Sequence, residues 1–102
     1  MQGTRLGSSD TQRQLVWFIT GTSSGFGKQF VSSALARGDR VIATARLGSI
    51  MKPDMRALEE NSEGRCRLMG LDVTSDEEEI GDVAKRAVDI WGRVDVVVNN
   101  AG

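Results

Sequence analysis

The 102-residue sequence predicts an α/β fold, about four parallel strands alternating with helices, one half of a doubly wound sheet. Two observations carry this. Short apolar runs rich in β-branched residues alternate with stretches of helical period in the order βαβαβαβ, and strands joined through helices lie parallel with right-handed crossovers. Between the first run and the first helical stretch stands TGTSSGFG, residues 20–27, with three glycines.

Residues 15–19, LVWFI, form a continuous apolar run suited to a strand covered on both faces. After the glycines, Phe26, Phe30, Val31, Ala34 and Leu35 fall at i, i+4, i+5, i+8 and i+9, which predicts one buried helical face, with Gly38 as the stop. RVIATAR, residues 40–46, reads as the second strand. A loop with the only proline, Pro53, leads into a short helix, DMRALEEN. CRLMGLD, residues 66–72, is the third strand. Thr74 with Glu77, or Ser75 with Glu78, has the spacing of a capping box, and the acidic first turn suits the helix dipole. Ile80, Val83, Ala84, Ala87, Val88 and Trp91 then give the clearest amphipathic stripe, stopped by Gly92. VDVVV, residues 94–98, is the fourth strand.

Composition narrows the function. Thirteen Lys and Arg against 14 Asp and Glu leave a net charge of −1, too little field to gather nucleic acid or an anionic membrane. No run approaches the ~18 apolar residues of a spanning helix. Residues 1–14 lack the apolar centre of a signal peptide and read as a disordered polar tail before a domain at 15–102. The lone Cys66 has no partner for an internal disulfide and reads as a small core side chain in a reducing, cytoplasmic setting.

A strand, a tight glycine turn and a helix starting near Ser24 or Gly25 aim unpaired N–H groups and a positive helix end at one spot, which suits a phosphate. Gly21 permits the sharp exit from the strand, Gly25 lets a diphosphate approach the backbone, and Gly27 removes a side chain where helix meets strand. Thr22, Ser23 and Ser24 offer hydroxyls. The spacing is not that of a P-loop, because Gly27-Lys28 is followed by Gln29 and the other required glycine position holds Thr22. A turn that merely connects strand to helix is the plain alternative.

TGTSSGFG resembles the TGxxxGxG cofactor motif of short-chain dehydrogenases and reductases. Asp72-Val73 is similar to the family's adenine-contacting pair, and Asn99-Asn100-Ala101-Gly102 to its NNAG motif. The resemblance implies a Rossmann-type dinucleotide-binding half, with cofactor contacts at Gly21, Thr22, Ser23, Ser24, Gly25, Phe26, Gly27, Arg46, Asp72, Val73, Asn99, Ala101 and Gly102. In an open parallel sheet such residues gather at the carboxyl edge.

The end of the second strand reads Ala45-Arg46, with no carboxylate for a free ribose, whereas a guanidinium can pair with a 2′-phosphate. NADP, as NADPH, is therefore expected over NAD, with Thr44 and Ser49 as assistants. The family's other basic position, just before the middle glycine, is Ser24 here. The family's catalytic tyrosine, lysine and serine follow the NNAG motif in its pattern, and this sequence has no tyrosine and no histidine. No catalytic residue and no metal ligand is assigned within it.

The first expectation is thus the N-terminal, NADP-binding part of a longer oxidoreductase, whose full-length form would take a small-molecule substrate and could be a homo-oligomer. The second is a non-catalytic dinucleotide-binding module that natively ends at Gly102. A methyltransferase using S-adenosylmethionine is a third and weaker reading, since that ligand prefers an acidic residue where Arg46 stands.

Overall fold

The computed structural model describes residues 13–23, 25–71 and 77–100. Its elements are β1 (Val16–Ile19), α1 (Gly25–Ala36), β2 (Arg40–Ala45), α2 (Leu47–Ile50), α3 (Pro53–Glu60), β3 (Cys66–Gly70), α4 (Glu77–Trp91) and β4 (Val96–Val98). The strands form one parallel sheet in the order β3-β2-β1-β4. The order turns back at β1: β1, β2 and β3 step one way, and β4 returns to the other side of β1. Such a reversal is the switch point beside which open parallel sheets bind ligands, at the carboxyl ends of the strands.

The two faces of the sheet bury different side chains, as the two-residue period of a strand requires. On one face Ile19, Val41, Ala43 and Cys66 meet Val31 and Ala34 of α1, with Leu35 and Leu58 packed at the margin. On the other, Val16, Phe18, Ile42 and Leu71 meet Val83 and Ala87 of α4, joined by Ile80, Ile90 and Trp91. Burying each branched side chain of this kind contributes about 1.5–3 kcal/mol. Among the described residues no helix is long and apolar enough to cross a membrane.

Two predicted side chains are not where the periodicity puts them. Phe26 is 73% exposed and Phe30 44% exposed, while the contact line of α1 runs through Gly27, Val31 and Ala34. Gly27 is the cause. There the helix lies against the glycine turn with no room for a side chain, and a contact line through that point leaves Phe26 and Phe30 about one residue, ~100°, to the side. In α4 the buried line runs through Val83 and Ala87, and Val88 lies off it at 40% exposure.

Element boundaries also shift. The loop after β2 contains a single helical turn, α2, and β4 is shorter than VDVVV because Asp95 is used at its amino end. There Asp95 N–H donates to Val16 O (2.8 Å), and Val16 N–H donates to the Asp95 carboxylate (2.8 Å). That bond first, and the Arg93 guanidinium second, hold the Asp95 carboxyl below its usual range. A second carboxylate, Asp39, buried at 3% exposure, accepts from Leu15 N–H (3.1 Å) and Trp17 Nε1 (2.9 Å) beside Arg37. Gly38, at φ 91°, ends α1 in the left-handed conformation, so that Gly38 N–H reaches Leu35 O and Asp39 N–H reaches Ala34 O. The capping-box residues Thr74 and Ser75 lie outside the described residues.

Candidate functional site

The glycine turn leaves β1 at Thr20, and Gly21 takes φ 65°, a conformation that costs a side-chain-bearing residue about 1–2 kcal/mol. Three groups of uncharged hydrogen bonds then hold the turn. Thr22 is fully buried and gives both its backbone N–H and its hydroxyl to Thr44 O, each at 3.1 Å. Thr44 returns the connection, its buried hydroxyl donating to Ile19 O (3.3 Å). Thr20 links the turn to β4: its hydroxyl donates to the Asn99 side-chain oxygen (3.1 Å) and accepts the Asn100 N–H (3.0 Å). The Asn100 side-chain amide donates to Gly21 O (3.2 Å).

These bonds change what several predicted residues do. The Thr22 hydroxyl is spent on a carbonyl, so Thr22 contributes the shape of the turn. Thr44 faces inward rather than assisting Arg46, and Ser49 meets Arg46 through its own backbone N–H, which donates to Arg46 O (2.8 Å). Thr20 and Asn100 are the residues that sequence reasoning passed over. The signal was a polar residue at the end of an apolar strand, which is also what an ordinary turn looks like.

The three glycines divide their work. A Cβ on Gly27 would sit on the Gly21 carbonyl oxygen and 2.6 Å from Thr22 Cα, so the first turn of α1 can lie against the glycine turn only without one. A Cβ on Gly25 would meet nothing within 4 Å. Gly25 therefore keeps its surroundings open outside the protein, where a ligand can approach the backbone. The first turn of α1 carries no acidic residue, whereas that of α4 carries Glu77, Glu78 and Glu79. No acidic side chain of its own first turn therefore meets the positive end of the α1 dipole, an end that attracts anions.

Parallel strands bring the remaining candidates to the same edge. Ile19 pairs with Ala43 and with Val98, and Ala45 with Gly70, so that Thr20–Ser23, Arg46, Leu71 and Asn99–Asn100 all follow strand ends on one side of the sheet. Arg46 is exposed and, among the described residues, has no ion pair or side-chain hydrogen bond. It borders a cleft of about 350 Å³ with Leu47, Gly70, Leu71 and Glu79. Ser23, Gly25 and Phe26 are exposed beside the turn. Ser24, Asp72, Val73, Ala101 and Gly102 lie outside the described residues. Among those described, no cluster of three or more His, Cys, Asp or Glu could hold a metal. Cys66 is buried against the α1 face, and burial pushes its thiol up to about 12, which leaves it a neutral core side chain.

Known proteins resemble this chain in sequence and fold. The family model for short chain dehydrogenases matches residues 15–102. An oxidoreductase of Botryotinia fuckeliana is 43% identical over 89 residues, 85% of this chain and 30% of its own length. A solved short-chain dehydrogenase from Streptomyces avermitilis superimposes with a TM-score of 0.76 at 43% identity, over 88% of this chain and 31% of the other. The solved structure of ElxO with NADP bound has a TM-score of 0.75 at 34% identity, over 88% of this chain and 36% of the other. Mouse (Mus musculus) 15-hydroxyprostaglandin dehydrogenase, whose name specifies NAD(+), is 33% identical over 88 residues, 85% of this chain and 32% of its own length. The chain spans about a third of the length of the curated relatives it matches.

Proposed function

Because the chain belongs to the short-chain dehydrogenase family, we propose that residues 15–102 are the NADP(H)-binding part of an oxidoreductase that, in a longer form, passes hydride between the nicotinamide and a carbonyl or alcohol. Of residues 1–14, expected as a disordered polar tail, Arg13 and Gln14 are instead tied to the domain: Gln14 Nε2 donates to Gly38 O (3.0 Å), Arg93 donates to Gln14 O (2.6 Å) and Arg13 pairs with Asp95 (3.6 Å). The single buried thiol fits a reducing, cytoplasmic setting.

One observation carries the choice of NADP over NAD: the only charged side chain at the end of β2 is Arg46, exposed and without a partner among the described residues. A ribose with a free 2′-hydroxyl calls for a carboxylate acceptor at this place, and a 2′-phosphate calls for a guanidinium. The diphosphate lies, on this reading, against the first turn of α1, with Gly25 open to it and Ser23 beside it. Asp72 and Val73 hold the adenine, and Asn99, Ala101 and Gly102 border the cofactor on the β4 side. These residues bind and orient. The cofactor itself supplies the hydride, and the proton donor that carbonyl reduction also needs is assigned to residues outside these 102, which include no tyrosine and no histidine.

Calorimetric titration of the chain with NADPH and with NADH tests the reading. A charge-assisted pair contributes roughly 1.5–3 kcal/mol, so NADPH is expected to bind about ten- to a hundredfold more tightly, and Arg46→Ala to remove the difference. Equal affinities in the native chain would overturn the NADP assignment. A longer form that binds NADPH but oxidises it with no ketone, aldehyde or quinone would favour the non-catalytic module instead.

A further inference from the structure

Gly70 closes β3 with an ordinary strand backbone. It pairs in register with Ala45, and it is not among the glycines at positive φ. A glycine in such a place weakens the strand and marks a close approach of something else. Here that is Leu47: a Cβ on Gly70 would come 3.1 Å from Leu47 Cδ1 and 3.6 Å from Leu47 Cα and Cβ. Leu47 immediately follows Arg46 and begins α2, whose turn closes on the Arg46 carbonyl through Ser49 N–H (2.8 Å) and Ile50 N–H (3.1 Å). At its far end α2 is held by Ile50, 8% exposed. Its near end, including Leu47 at 68% exposure, has the bare backbone of Gly70 beneath it.

We propose that Gly70 is a positioning residue for cofactor selectivity: the space left by its missing side chain seats Leu47, and that seat sets where the turn after β2 holds Arg46. A branched side chain at this position enters the cleft shared by Arg46, Leu47, Gly70 and Leu71. Leu47 Cδ1, 3.1 Å from that Cβ position, then turns away, and the γ-methyls beyond a Cβ that itself stands in ordinary contact with Leu47 Cα at 3.6 Å press on the backbone beside Arg46. The strand itself gains from the substitution, since Val favours β structure and Gly does not. Selectivity is lost from a residue that never touches the phosphate. The inference rests on the reading of Arg46 as the 2′-phosphate contact.

The test is the ratio of NADPH to NADH affinity in the chain and in Arg46→Ala, Gly70→Ala, Gly70→Val and the double variant Leu47→Ala/Gly70→Val. The ratio cancels any effect on the parts common to both cofactors. Arg46→Ala is expected to lower it by about ten- to a hundredfold, the worth of a charge-assisted pair. Gly70→Val is expected to lower it by about fivefold or more, a share of that same pair, and Gly70→Ala by less. Leu47→Ala makes room for the new side chain, so the double variant is expected to return to within about twofold of the native ratio. If Arg46→Ala collapses the ratio and Gly70→Val leaves it intact, the role of Gly70 is overturned while that of Arg46 stands. If Arg46→Ala leaves it intact, the reading of Arg46 fails first. A ratio lowered equally with and without Leu47→Ala overturns the seat of Leu47. Should Gly70→Val not fold, Gly70→Ala with and without Leu47→Ala decides by the same directions.

Discussion

Gly25 and Gly27 stand two residues apart in the same turn, and substituting each by alanine should give opposite results in stability and the same result in binding. At Gly27 the new methyl overlaps the Gly21 carbonyl and lies 2.6 Å from Thr22 Cα. Both are backbone, so the strain cannot be relieved by rotating a side chain. Overpacking of this kind costs about 1–3 kcal/mol. Moving Thr22 also loosens its two bonds to Thr44 O, for about 0.5–1.5 kcal/mol each. The sum, roughly 2–6 kcal/mol, corresponds to a fall in Tm of about 8 °C at the least, at ~4–8 °C per kcal/mol for a domain of this size. At Gly25 the methyl meets no protein atom, and alanine is the better helix former by up to ~1 kcal/mol. Its Tm should hold or rise slightly. Dinucleotide binding should fall in both variants, through distortion of the turn at 27 and through blocked approach at 25. Thermal melts followed by circular dichroism, with calorimetric titration of NADPH, make the comparison. A Gly27→Ala chain that melts with the native protein, or a Gly25→Ala chain that keeps full NADPH affinity, would refute the division of labour.

Three further outcomes are expected. The Asp95 carboxyl, held below its usual range first by the Val16 N–H and then by Arg93, contributes stability that is present above the ordinary carboxylate pKa of ~3.9 and lost as pH falls through the lowered folded value; urea denaturation across pH 2–7 should show a shallower acid loss in Asp95→Asn, and an unchanged profile would remove Asp95 from the account. The Cys66 thiol, pushed up to about 12, makes stability fall by at most ~1.4 kcal/mol per pH unit as pH rises from ~8.5 toward the folded value, and it should resist iodoacetamide at pH 8 until the chain is unfolded; rapid labelling of the native protein would contradict its burial. Val97, 66% exposed on the edge strand β4, lacks the charge that usually guards such an edge, so sedimentation velocity should show concentration-dependent association that Val97→Lys reduces; a monomer at all concentrations in the native chain would show the edge to be harmless.

The order of elements, the class of sheet and the position of the glycine turn were legible in the residues alone, because each depends on local chemistry. Strand runs such as RVIATAR and CRLMGLD, the helical stripe from Ile80 to Trp91 and the stop at Gly38 need only period and backbone freedom to be read. The common edge of Gly21, Arg46 and Asn99 followed from them, since parallel strands place all their carboxyl ends together. Tertiary structure decided what local patterns leave open. The period of α1 admits more than one buried face, and the steric contact of Gly27 with Gly21 and Thr22 selected the one that turns Phe26 and Phe30 to solvent. The bonds of Thr22 to Thr44, 22 residues apart, and of Asn100 to Thr20, 80 residues apart, join atoms whose meeting no nearby residue announces. Gly70 beneath Leu47 is of the same kind. A hydrogen bond or a packed contact between distant segments exists only when the whole sheet has brought them together, and so it is specified by the fold rather than by the stretch of chain in which either residue stands.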